Sequence, residues 1–190
     1  MSISKAFHHT KEQLASELDV ILAAQKNTKY FEVLYNKYYE QIFRYCHQRV
    51  DSEDIAHDLT SQVFLKALTN LKKYEYRGVP FGSWLFRIAM SVVYQSFKDK
   101  KAEKTINIDS ISFKSLIVDD SSESVFSSEE QLRLKKALKT LKKEEVEIIE
   151  LRYFESRSFK EIAEILSIKE NNAKVKAHRI LGKLKTNFAL

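Results

Sequence analysis

A chain of 190 residues with 44% hydrophobic and 31% charged content can bury one large core or two small ones, and it is too apolar to stay wholly disordered. Three glycines and one proline leave too few breakers for the many tight turns of an all-β fold, so an all-α fold is expected. The net charge of +6 points to a polyanionic partner, and no apolar run approaches the roughly 20 residues that cross a bilayer. The opening MSISKAFHHTKEQ lacks a charged segment followed by an apolar one, which predicts a cytoplasmic protein. Cys46 alone supports neither a disulfide nor a Cys-rich zinc cluster, and no cofactor or metal is expected.

Taken in chain order, Leu14, Leu18, Ile21 and Leu22 form one apolar stripe at helical spacing, and Phe31, Leu34, Tyr35, Tyr38, Ile42 and Tyr45 form a second after a break at Lys26 to Lys29. A third helix is predicted from Ser52 to Lys72, and a fourth from Ser83 to Lys98 after a loop holding Gly78, Pro80 and Gly82. Between Thr105 and Glu130 the acids Asp109, Asp119, Asp120, Glu123, Glu129 and Glu130 face one base, Lys114, among many serines, which reads as a flexible tether. Further helices are predicted from Ser128 to Thr140 and from Lys143 to Phe154, with a final pair starting near Ser158 and Lys169. The expected domains are a helical one over residues 1–100, an acidic Ser-rich linker over 101–127, and a second helical one over 128–190.

The final pair has the pattern of a helix-turn-helix. Ser158 and Glu161 fit a capping box, Phe159, Ile162, Ala163 and Leu166 share one face, and Ser167 to Lys169 makes the short turn. On the last helix Ala173, Ala177, Ile180, Leu181, Leu184 and Phe188 fall on one arc and are assigned to the core. The opposite side carries Asn171, Asn172, Val175, His178 and Arg179, flanked by Lys174 and Lys176. Asn pairs with adenine, an apolar side chain meets the thymine methyl, Arg reads guanine and Lys neutralises phosphate, so this face suits a DNA major groove.

The fourth helix carries a different mixture. Trp84, Arg87, Ser91, Tyr94 and Lys98 follow one stripe, and Lys72, Lys73, Tyr74, Tyr76 and Arg77 extend it into the preceding loop. Rings on which unpaired bases stack, interleaved with cations that hold the backbone, are what single-strand binders use; aromatics at helical spacing are also common in cores, Trp84 above all. On the third helix Ala56, Leu59, Val63, Phe64, Ala67, Leu68 and Leu71 face inward, while Asp54, Asp58, Ser61, Gln62 and Leu65 share the outer side. A leucine exposed among acids and amides suits a protein partner.

Together these segments resemble the bacterial RNA polymerase sigma factors of the small, two-domain extracytoplasmic-function (ECF) group. AHDLTSQVFLKAL, Ala56 to Leu68, is similar to the family's core-polymerase-binding helix, and FGSWLFRIA, Phe81 to Ala89, to its promoter-melting segment. LRYFESRSFKEIAEIL and KVKAHRILGKL are similar to its −35-reading domain. His57, Ser61, Gln62, Ser91 and Asn171 differ from the residues usual at those places. The resemblance implies a non-enzymatic initiation factor whose partners are core RNA polymerase and promoter DNA, with a possible anti-sigma protein. The third-helix residues Asp54, Asp58, Ser61, Gln62 and Leu65 would bind polymerase; the fourth-helix and loop residues would hold the unpaired −10 strand; Asn171 to Arg179 would read the −35 duplex.

Three other classes are weighed against this: an enzyme, an ordinary regulator and, third, a purely structural helical adaptor. An enzyme would need a convergent site, and His8 with His9, Cys46 with His47, and Asp54 with His57 and Asp58 are thin candidates with no Gly-rich phosphate loop beside them. An ordinary helix-turn-helix regulator would bind duplex DNA without joining a polymerase, often as a two-fold dimer.

Overall fold

The computed structural model describes residues 9–50, 52–99 and 128–188. These residues are helical, with no strand among them. The expected linker over 101–127 lies outside them, as do His8 and the acids from Asp109 to Glu123. The chain divides into two compact units, one built mainly from His8–Lys104 and the other mainly from Thr105–Ala163 with Ser167–Leu190.

In the first unit α1 (Lys11–Lys26) opens with a capping box in which Thr10 and Gln13 satisfy each other's backbone amides. After a short 3₁₀ turn, α2 (Phe31–His47) packs against both α1 and α3 (Glu53–Asn70), and α4 (Phe81–Asp99) closes the bundle against α2 and α3. The core is Ile21, Leu34, Tyr38, Ile42, Val63, Phe81, Leu85 and Phe86 with smaller neighbours, all within a few per cent of full burial. Burying side chains of this size stabilises by about 1.5–3 kcal/mol each, which is why the amphipathic stripes dictate the packing.

Three details depart from the sequence reading. Leu22 sits on the expected stripe of α1 yet is 47% exposed, because the buried row is Glu17, Ile21 and Ala24, one step round the helix. The third helix tightens into a 3₁₀ turn at Leu71–Lys73 instead of running on to Lys72 as α-helix. The fourth begins at Phe81, directly after Pro80, two residues before the expected start.

In the second unit α5 (Ser128–Lys139) and α6 (Lys143–Ile149) pack on α8 (Glu170–Phe188). The helix expected to run unbroken from Lys143 to Phe154 changes at Glu150 into a π-helical turn, Glu150–Phe154. Helix α7 (Phe159–Leu166) then starts with the expected capping box: Ser158 Oγ accepts from the Glu161 amide at 3.2 Å, and Glu161 Oε2 accepts from the Ser158 amide at 3.0 Å. Glu161 is itself buried, and its Oε1 takes a hydrogen bond from Arg157 at 3.2 Å. The turn after α7 places Ser167 in the left-handed region, φ 55°, and closes on the Ala163 carbonyl. Ala173, Ala177, Ile180 and Leu184 of α8 are buried and Leu181 is half-buried, whereas the Phe188 side chain is outside the described residues.

Candidate nucleic-acid and protein interfaces

On α8 the residues facing away from the core are Asn171, Asn172, Lys174, Val175, Lys176, His178 and Arg179, and every one is exposed. Val175 is 40% exposed, on the side of the helix opposite its four buried residues. Lys174 pairs with Glu170 at 2.7 Å across one helical turn, and both side chains are about half in water, so the pair is weak. Glu170, in the first turn of this helix, is an acid that the sequence reading left out of the groove face. The far half of α8 is tied down by Lys183, which donates to Glu145 of α6, and by Asn187, whose amide donates to the Thr140 hydroxyl at 2.8 Å. The Lys183 hydrogen bond, more than any other influence, holds the Glu145 carboxyl below its ordinary value.

In the first unit the row on α4 is split by packing. Arg87, Ser91, Tyr94 and Lys98 are exposed, Tyr94 by 60%. Trp84 is half-buried, with its ring 4.9 Å from that of Tyr74 and 5.3 Å from that of Phe81, so this tryptophan anchors the loop while showing one edge. Tyr74 also meets Phe81 edge-on at 5.1 Å, and burial pushes its hydroxyl well above the usual tyrosine range. Lys72, Lys73 and Arg77 are exposed and Tyr76 is half-buried. The structure therefore brings cations and open aromatic surface to one side of this unit, with Phe81 seating the two more buried rings.

On α3, Asp54, Asp58, Ser61, Gln62 and Leu65 are all exposed, Leu65 by 64%, while Ala56, Leu59, Val63, Phe64 and Ala67 are buried beneath them. Sequence reasoning missed what happens to His57. Its ring stacks on Phe43 of α2 at 4.3 Å, its Nδ1 is hydrogen-bonded to the Tyr39 hydroxyl at 2.8 Å, and its Nε2 lies 3.8 Å from Glu53. The signal was present in the α2 spacing of Tyr35, Tyr39, Phe43 and His47, whose rings follow one another along the helix. Among the described residues no group of three or more His, Cys, Asp or Glu side chains is gathered as a metal would require. Cys46 is fully buried, and burial pushes its thiol up to about 11. No helix of the described residues is long and apolar enough to cross a membrane.

Two family models match the chain: sigma-70 region 2 over residues 34–103 and sigma-70 region 4 over residues 131–184. The ECF RNA polymerase sigma factor BldN of Streptomyces coelicolor is 29% identical over 154 residues, a match that spans 81% of this chain and 58% of BldN. The solved structure of CnrH in complex with the cytosolic domain of CnrY shares the fold, with a TM-score of 0.62 and 17% identity over 90% of this chain and 96% of that one. So does RpoE from Bartonella quintana in complex with the anti-sigma factor NepR, with a TM-score of 0.55 and 19% identity over 84% and 97%. The two matched regions cover most of the described residues and carry the α3, α4 and α8 faces between them; the chain belongs to the sigma-70 family, in its ECF group.

Proposed function

We propose that this chain binds core RNA polymerase through α3, reads the −35 element as duplex through α8, and holds the unpaired −10 strand on α4 and the loop before it. It catalyses no reaction of its own; selectivity and melting come from binding. The observation that supports this reading is the coexistence of two exposed, cation-bearing faces of different chemistry, on α8 and on α4. The α8 face has the amide, apolar and guanidinium groups that read base edges in a groove. The α4 face has exposed Tyr94 between Arg87 and Lys98, which suits a strand whose bases are already out of the stack. An ordinary regulator needs only the first.

In this assignment Asp54, Asp58, Ser61, Gln62 and Leu65 touch polymerase. Lys72, Lys73, Tyr74, Tyr76, Arg77, Trp84, Arg87, Ser91, Tyr94 and Lys98 touch the −10 strand. Asn171, Asn172, Lys174, Val175, Lys176, His178 and Arg179 touch the −35 duplex. The domains divide the work as 1–100, 101–127 and 128–190, in a cytoplasmic setting, and an anti-sigma protein that covers these faces is the fitting regulator. Co-purification of the tagged full chain with the host's core polymerase tests the reading. Stoichiometric recovery of the polymerase subunits and promoter-dependent transcription by the mixture are expected. Tight binding to palindromic duplex by the chain alone, with no polymerase recovered, would replace it with a regulator.

A further inference from the structure

Helix α1 precedes the stretch matched by sigma-70 region 2, residues 34–103, yet two of its side chains reach the two ends of the loop that leads into α4. Gln25 donates both amide hydrogens to backbone carbonyls at the start of that loop, Leu71 and Tyr74, each at 2.9 Å. Glu17 reaches its end. Through Oε2 it accepts the Phe81 amide at 2.6 Å, and through Oε1 it accepts the Tyr38 hydroxyl at 2.5 Å and the Lys37 ammonium at 2.6 Å.

The Glu17 side chain is only 4% exposed, and a carboxylate is costly to bury unless its oxygens are satisfied. Three donors meet that need. One of them belongs to the first turn of α4, where amides lack helical partners and the helix dipole favours negative charge. At the neighbouring Gly82 a Cβ would fall 2.5 Å from the Tyr38 ring, so the start of α4 is held by shape as well as by charge. Between the two anchored ends lie Tyr76, Arg77 and Gly78, the last at φ 70°.

We propose that Glu17 and Gln25 are positioning residues for strand capture: α1 braces both ends of the loop over 71–80, so that Tyr76 and Arg77, with Arg87 on α4, are ordered before DNA arrives. A loop fixed in advance avoids the entropic cost of ordering on binding. The inference rests on the reading of this loop and α4 as the surface for the unpaired −10 strand.

The test uses holoenzyme reconstituted from the full chain and core polymerase, with a promoter fragment that the holoenzyme itself selects from sheared genomic DNA. The fragment is used both fully paired and mismatched across the −10 element. Gln25→Ala removes two hydrogen bonds, so binding to the mismatched fragment is expected to weaken about tenfold while affinity for core polymerase stays unchanged. Because the residue acts through the loop, the loss should shrink in a Tyr76→Ala background, whereas a general loss of stability would add to it in full. Glu17→Asp keeps the charge but shortens the reach. It should reproduce the pattern and speed amide exchange at Phe81, and it stands in if Gln25→Ala folds poorly. Wild-type binding by both α1 variants, with Tyr76→Ala impaired, overturns the brace and leaves strand capture intact. Additive losses overturn it as well. Wild-type binding by Tyr76→Ala removes the strand-capture role of the loop, and the brace falls with it.

Discussion

Glycine usage shows most clearly what a single residue does here. A Cβ at Gly82 would lie 2.5 Å from Cε1 of Tyr38, a ring only 2% exposed and held by Glu17. Nothing lies within 4 Å of a Cβ built at Gly182, on the exposed side of α8. Gly82→Ala should therefore destabilise the first unit by about 1–3 kcal/mol, since the overpacked ring cannot leave its site. Gly182→Ala should stabilise the second by roughly 0.5–1 kcal/mol, because helical glycine is entropically costly and the site is open. Urea unfolding of the two variants checks both signs, and a stable Gly82→Ala protein would mean that Tyr38 is looser than it stands. In the sequence Gly82 reads as one more loop residue beside Gly78 and Pro80. Its real constraint is a ring more than forty positions earlier, and no local pattern carries that information. Glu17 is hidden for the same reason, since an acid in an apolar stripe reads as solvated until its three donors are seen.

At the scale of the helix, periodicity located α2, α3, α7 and α8 well because their buried faces recur every three to four residues. It failed where the backbone leaves the α-helix without a breaker. The π turn at Glu150–Phe154 contains neither Gly nor Pro, so composition gave no warning of it, whereas the turn expected at Ser167–Lys169 is present, with Ser167 in the left-handed region. The outer face of α3 was legible, and it makes a sharp prediction. Asp58→Arg with Leu65→Glu replaces an exposed acid and the most open leucine of that face without touching the buried row, so the folded double variant should fail to pull down core polymerase. Normal recovery would take docking off this helix. The tie between α6 and α8 adds a pH dependence. Glu145 lies below its ordinary value of 4.5 in the folded protein, chiefly through Lys183, so its contribution is present above that value and is lost as pH falls through the folded one. The stability gap between the native protein and Glu145→Gln should be open at about pH 6 and should close toward about pH 3. A gap that does not change with pH would mean that Lys183 contributes nothing through charge.

For the molecule as a whole, the all-helical fold and the exposure of the α3, α4 and α8 faces were legible in periodicity and charge, because both survive small shifts of the helix ends. In the proposed assignment the two units carry different recognition chemistry, and the decisive question is the strand state of the DNA that each would meet. Tyr94 is 60% exposed on α4, in the same exposed row as Arg87 and Lys98. Stacking on such a ring is worth about 1–3 kcal/mol per base, while extruding a base from the duplex costs a few kcal/mol. On paired promoter DNA the stacking must offset that cost before an open complex accumulates; on a template already mismatched across the −10 element it need not. Tyr94→Ala should accordingly slow open-complex formation strongly on the paired template and only weakly on the mismatched one, as read by permanganate reactivity and transcript yield. Asn172→Ala should weaken both templates alike, since the element assigned to α8 stays double-stranded in each. Equal losses on the two templates for Tyr94→Ala, with core binding intact, would reduce that ring to a general DNA contact and move melting to the loop that α1 holds in place.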